Sequence, residues 1–104
     1  MKIDNLLVKD GVNEEKLNNF SKLFDTYYDQ KLPIPYFYPT IDGNIQGEIS
    51  LFNKEISFEI NLDSLTIYYH SLDLIDDSVI EDEFWLYNIN GWDALNEQLL
   101  KECS

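Results

Sequence analysis

The chain has 104 residues, enough for one small hydrophobic core without disulfide staples and too few for two, so a single domain over 1–104 is expected. Twenty acidic residues stand against seven lysines and no arginine, a formal charge of -13, which argues against DNA, RNA or an anionic membrane as direct partner and makes a basic protein the natural one. With 44% apolar and 14% aromatic residues, the sequence is too rich in core-forming side chains for a disordered acidic tail.

From Met1 to Asp10 the only apolar run is Leu6-Leu7-Val8, far short of a signal-peptide core or a membrane span. The sole cysteine, Cys103, leaves no disulfide framework and no thiolate metal cage; both features fit a reducing, cytoplasmic setting. Asn13 can cap a helix, with Glu14 and Glu15 placed at the positive end of its dipole. Leu17, Phe20, Leu23, Phe24, Tyr27 and Tyr28 then recur at spacings of three and four as an apolar stripe. Pro33 and Pro35 end the helix and push the chain into an extended connector leading to Tyr36-Phe37-Tyr38.

Beyond this point the hydrophobic period changes from that of a helix to that of a strand. Ile45–Phe52, Glu55–Leu62 and Leu65–Leu72 read as strands, with turns at Asn53-Lys54 and Asp63-Ser64. In the middle strand Ile56, Phe58, Ile60 and Leu62 alternate with Glu55, Ser57, Glu59 and Asn61, as in a sheet packed on one face and wet on the other. In the next strand Leu65, Ile67 and Tyr69 take the core side, leaving Thr66, Tyr68 and His70 on an exposed face that mixes aromatics with carboxylates. Asp73–Glu83 reads as an ordered acidic connection, Glu83–Tyr87 as a last strand, and Asn90 with Asp93 as the cap of a closing helix whose inner stripe is Trp92, Leu95, Leu99 and Cys103. The order of elements predicts an α+β fold: an antiparallel four- to five-stranded meander with an N-terminal and a C-terminal helix packed on one face.

The charge is unevenly spread. Up to Gln46 there are seven acids and five lysines; after it, thirteen acids and two lysines, with no cation between Lys54 and Lys101. Such a field repels itself, and a docking cationic surface relieves it, although acidic surfaces also simply keep proteins soluble.

Catalysis finds little support in the residue types. His70 is the only imidazole, and a unit built from His70, Ser71 and Asp73 fails because neighbours on a strand face opposite sides. The acids of Asp73–Glu83 lack the glycine and the spacing of a calcium loop, and no phosphate-cradling glycine loop is present. No enzyme activity, metal or cofactor is therefore expected. The acids can instead occupy the nucleic-acid groove of a cationic protein, since duplex DNA presents one charge per roughly 1.7 Å and carboxylates can approach that density. Aromatics bordering the tract, Tyr68, Phe84, Trp85, Tyr87 and Trp92, can serve as anchors, with Trp92 and one of Phe84 or Trp85 assigned to the core instead.

The segment Tyr38-Pro39-Thr40-Ile41-Asp42-Gly43-Asn44-Ile45-Gln46-Gly47-Glu48 resembles a YPT-x-x-G-x-I-x-x-E stretch of small bacterial proteins, some encoded near toxin-antitoxin genes. As a physical unit it makes an extended arm, an Asp42-Gly43 turn and the opening of a long strand. In size, acidity and α+β layout the chain is also similar to immunity proteins of bacterial polymorphic toxins, including contact-dependent growth inhibition systems. That resemblance implies a cytoplasmic protein that binds the toxin domain of its own system one-to-one. The candidate contacts are Asp73, Asp76, Asp77, Glu81, Asp82 and Glu83 for charge, with Tyr68, His70 and Trp85 as packing anchors. An acidic adaptor for a basic host protein is the alternative from another class.

Overall fold

The structure is a computed structural model that describes residues 11–103; the Leu6-Leu7-Val8 run lies outside the described residues. Asn13 caps helix α1 (Glu14–Tyr27) by accepting the Lys16 N–H at 3.0 Å. Five strands follow: β1 (Tyr36–Pro39), β2 (Ile45–Ser50), β3 (Lys54–Asn61), β4 (Thr66–Asp73) and β5 (Val79–Trp85). Helix α2 (Ile89–Cys103) closes the fold. Each strand pairs antiparallel with the next, in the order β1-β2-β3-β4-β5, so the fold is the α+β meander that the periodicity predicts.

Register explains the layering. Phe37, Gly47, Phe58, Tyr69 and Asp82 stand side by side across the sheet, and Phe37, Phe58 and Tyr69 point toward the helices. Phe20 and Phe24 of α1 meet Phe37 edge-on at ring-centroid distances of 6.0 and 5.5 Å, and Phe20 stacks on Trp92 of α2 at 6.1 Å. Both helices therefore cover the same face. Trp92, buried to 1% exposure, also donates its indole N–H to the Leu86 carbonyl at 2.8 Å, which gives the core's largest side chain its polar partner. Of the two candidates beside it, Phe84 is the core residue and Trp85 faces out.

Several boundaries differ from the sequence reading. The β2–β3 turn has its tip at Phe52-Asn53, closed by a Leu51 N–H to Lys54 carbonyl bond of 2.8 Å, so β2 stops short of Phe52 and Lys54 joins β3. The last strand starts at Val79, not Glu83: cross-strand pairing with β4 overrides the low strand propensity of consecutive acids. At α2 the capping side chain is Asn88, which accepts the Gly91 N–H at 3.0 Å, so the helix begins before Asn90.

One polar group lies deep in the helix–sheet interface. Glu102 of α2 is 6% exposed; it accepts a hydrogen bond from the Ser71 hydroxyl at 2.9 Å and another from the Tyr69 hydroxyl, with the Lys54 ammonium 3.7 Å away. Together these donors and the cation offset the cost of burying a carboxylate. Burial, and then the bond to Glu102, hold the Tyr69 phenol far above its ordinary pKa.

Candidate functional site, an acidic and aromatic sheet face

The face of the sheet turned away from the helices is built by register. One row across it runs Tyr36, Glu48, Ser57, His70, Glu81, and the next runs Tyr38, Gln46, Glu59, Tyr68, Glu83. A third row holds Ser50, Glu55, Leu72 and Val79, and Trp85 sits beside Thr66 at the far end. Glutamates from β2, β3 and β5 thus share one surface with three tyrosines and a tryptophan. None of the described lysines belongs to these rows: Lys16 and Lys22 ride on α1, Lys31 on the following loop, Lys101 on α2, and Lys54 points to the helix side of β3.

The carboxylates act on the phenols beside them. Tyr38 donates to Glu48 at 2.6 Å, and this bond is the main reason its pKa is pushed up to about 12. Partial removal from water, and then Glu81 and Glu83, raise the pKa of Tyr68. Negative charge nearby adds to both shifts, and a protonated phenol amid carboxylates is a ready hydrogen-bond donor. Tyr68 and Trp85 are 44% and 49% exposed, with apolar ring surface available to a partner. Two shallow depressions, each of about 180 Å³, interrupt the face, one by Glu48, Glu55 and His70, the other by Glu59, Tyr68 and Glu83.

The sequence-derived candidates separate into three groups. Tyr68, His70, Glu81, Glu83 and Trp85 come together on this face. Asp82 lies on the opposite side by strand alternation, and its carboxylate accepts the Glu83 N–H at 2.8 Å. Asp73, Asp76 and Asp77 form the β4–β5 turn. Asp73 accepts the Ile75 N–H at 2.8 Å and the Asp76 N–H at 3.3 Å, Asp76 accepts the Ser78 N–H at 2.8 Å, and Asp77 takes a left-handed φ of 61°. Hydrogen bonds from Ser78 lower the Asp76 pKa. Asp73 and Asp76 thus have a local reason to be acidic, the Asx turn, in which their carboxylates accept backbone donors that would otherwise be unmet, and Asp77 is of the small polar type that tolerates its left-handed φ. Asp63, read as lacking a local cation, is met by Lys16 of α1, a pairing across sequence that only folding creates.

Sequence reasoning left Tyr36, Tyr38, Glu48, Glu55 and Glu59 out of the site. Alternation in β3 already turned Glu55 and Glu59 outward; what it lacked was the strand order that sets them beside Tyr68, Glu81 and Glu83. His70 and Ser71 do face opposite sides, with Ser71 committed to Glu102. Among the described residues no group of three or more His, Cys, Asp or Glu side chains is arranged to hold a metal ion, and no helix is long and apolar enough to cross a membrane. Comparison of the chain with protein families, curated proteins and solved structures finds no match.

Proposed function

We propose that this protein is a non-enzymatic immunity or antitoxin protein that neutralises a basic toxin domain, a nuclease, by one-to-one binding in the cytoplasm, in the manner of contact-dependent growth inhibition systems. The observation that carries this reading is the segregation of charge by face: Glu48, Glu55, Glu59, Glu81 and Glu83 share a sheet surface to which no described lysine belongs. A nuclease has to present a cationic groove to its substrate. Carboxylates on adjacent strands, which lie roughly 4.8 Å apart, form a rigid negative array that competes for such a groove. Long-range attraction speeds encounter, while Tyr68 and Trp85 supply the desolvated contact area that charge alone does not.

The test is a pull-down with the tagged full chain, followed by a growth assay with the captured gene product. Recovery of a toxic nuclease whose killing is suppressed by this protein, and is not suppressed by a Glu59→Lys/Glu81→Lys/Glu83→Lys variant, supports the reading. Recovery of a ribosomal or DNA-binding host protein instead, with no toxicity to relieve, replaces it with the adaptor alternative.

A further inference from the structure

The two edges of the sheet are unlike. β1 is four residues long and ends in Pro39, both features that discourage a further strand. β5 is seven residues long, contains no proline, and is exposed along Val79–Glu83. Its backbone polarity follows from the flanking hydrogen bonds. The Asp73 N–H bonds the Ser78 carbonyl at 2.9 Å and the Leu86 N–H bonds the Leu65 carbonyl at 2.7 Å. Antiparallel alternation between these points turns the N–H and C=O groups of Ile80, Asp82 and Phe84 toward β4. Those of Val79, Glu81 and Glu83 face away from the sheet, and the Asp82 carboxylate bound to the Glu83 N–H marks one of these outward donors. Past Glu83 the edge closes, because the first turn of α2 brings Gly91 against the Trp85 backbone.

We infer that the Val79–Glu83 edge accepts one additional strand from a cationic partner, so that the sheet continues into the bound protein. The inference rests on the reading of the acidic face given above and specifies how that face is engaged. Charge selects the occupant. A second copy of β5 would set Glu81 and Glu83 against the same acids, an unfavourable cross-strand pairing. A strand alternating Lys or Arg with apolar residues suits the outer acids and Ile80 at once, and it takes the Glu83 N–H from the Asp82 carboxylate, which turns out to water. Its cations fall on the outer face beside Glu81 and Glu83, and its apolar side chains fall on the helix side beside Ile80, which is 43% exposed. In narrow antiparallel pairs, directly opposite residues exchange both backbone bonds, so the partner's cationic residues are also the ones whose amides meet Glu81 and Glu83.

This predicts a positional effect that charge alone does not produce. The probe is the capped peptide Lys-Val-Lys-Val-Lys-Val-Lys, made in two isomers of equal charge, N-methylated either on its last three lysines or on its three valines. Titrated into the full chain at low salt, the valine-methylated isomer is expected to bind at least about tenfold more tightly, since only the lysine-methylated isomer loses the amides that face β5. Amide exchange at Glu81 should slow with the valine-methylated isomer and not with the lysine-methylated one. Equal affinity of the two isomers overturns strand addition while leaving the acidic face as a binding surface. Failure of both to bind overturns the two readings together, and dimerisation of the free chain through β5 overturns the choice of occupant.

Discussion

Gly91 sits in the first turn of α2, where a helical glycine on a solvent-facing surface would gain up to about 1 kcal/mol on replacement by alanine. Here the sign reverses. A Cβ at this position would collide with the Trp85 carbonyl oxygen and lie 2.5 Å from the Trp85 carbonyl carbon and 3.2 Å from its nitrogen, where carbon–carbon contact is comfortable only near ~3.5 Å. The obstacle is backbone paired with β4, so no rotamer change relieves it, and the start of α2 must retreat by at least ~1 Å. Overpacking of this kind costs ~1–3 kcal/mol. The same displacement strains the neighbouring Trp92, whose indole N–H bond to Leu86 is worth about 1 kcal/mol. After the helix-propensity gain, Gly91→Ala is expected to lose about 1–3 kcal/mol, a fall in Tm of roughly 5–20 °C for a domain of this size. Urea titration and thermal melting followed by circular dichroism measure it. A variant as stable as the parent, or more stable, would show that α2 does not dock on the end of β5 this closely, and the closed limit of the β5 edge would be wrong.

Other consequences follow from the same geometry. Tyr69→Phe keeps the packed ring and removes a donor from buried Glu102, so it should cost about 1.5–3 kcal/mol in urea-unfolding stability; a cost below 0.5 kcal/mol, an order-of-magnitude bound, would mean the carboxylate is hydrated. Tyr69 and Tyr38 hold their protons more tightly in the folded chain than in the unfolded one. Their stabilisation is therefore complete below the ordinary tyrosine pKa near ~10 and is lost as pH rises through about 12 for Tyr38 and beyond for Tyr69. Urea midpoints should fall above that threshold, and Tyr69→Phe should flatten the fall. Trp85→Ala and Tyr68→Ala should each weaken partner binding by ~2 kcal/mol while leaving the melting temperature nearly unchanged, as calorimetry with the captured partner will read. Reversing Glu14, Glu15 and Glu97 on the helices changes net charge as much as reversing Glu59, Glu81 and Glu83. Only the second set should slow association by tenfold or more, an order-of-magnitude expectation for steering toward one face, and stopped-flow rates at two ionic strengths separate them.

Much of this site was legible before folding is considered. Side-chain alternation in β3 and β4 sorts Ile56, Phe58, Ile60, Ile67 and Tyr69 from Glu59, Tyr68 and His70, because a strand has only two faces. The acids of Asp73–Glu83 were harder to read, since composition treats them as one tract. In the fold Asp73 and Asp76 bind turn amides, Asp82 caps an edge amide, and Glu81 and Glu83 join the outer face. A run of like charges says nothing about which of its members are held by their own backbone.

What the sequence determined alone is therefore local: the Asn13 cap, the apolar stripe of α1, the change of period after the prolines, and an excess of acid with little cation nearby in the chain. Only the tertiary structure decided that the excess is a face. Strand order and register bring Glu48, Glu59 and Glu83 from separate strands into neighbouring positions, and the helices carry lysines away to the other side. Glu102 makes the same point in reverse. In the sequence it is one more acid near the end of a helix, yet Tyr69, Ser71 and Lys54, distant in the chain, converge on it. Periodicity is a property of neighbours along the chain, whereas a charged surface or a buried polar cluster is a property of neighbours in space.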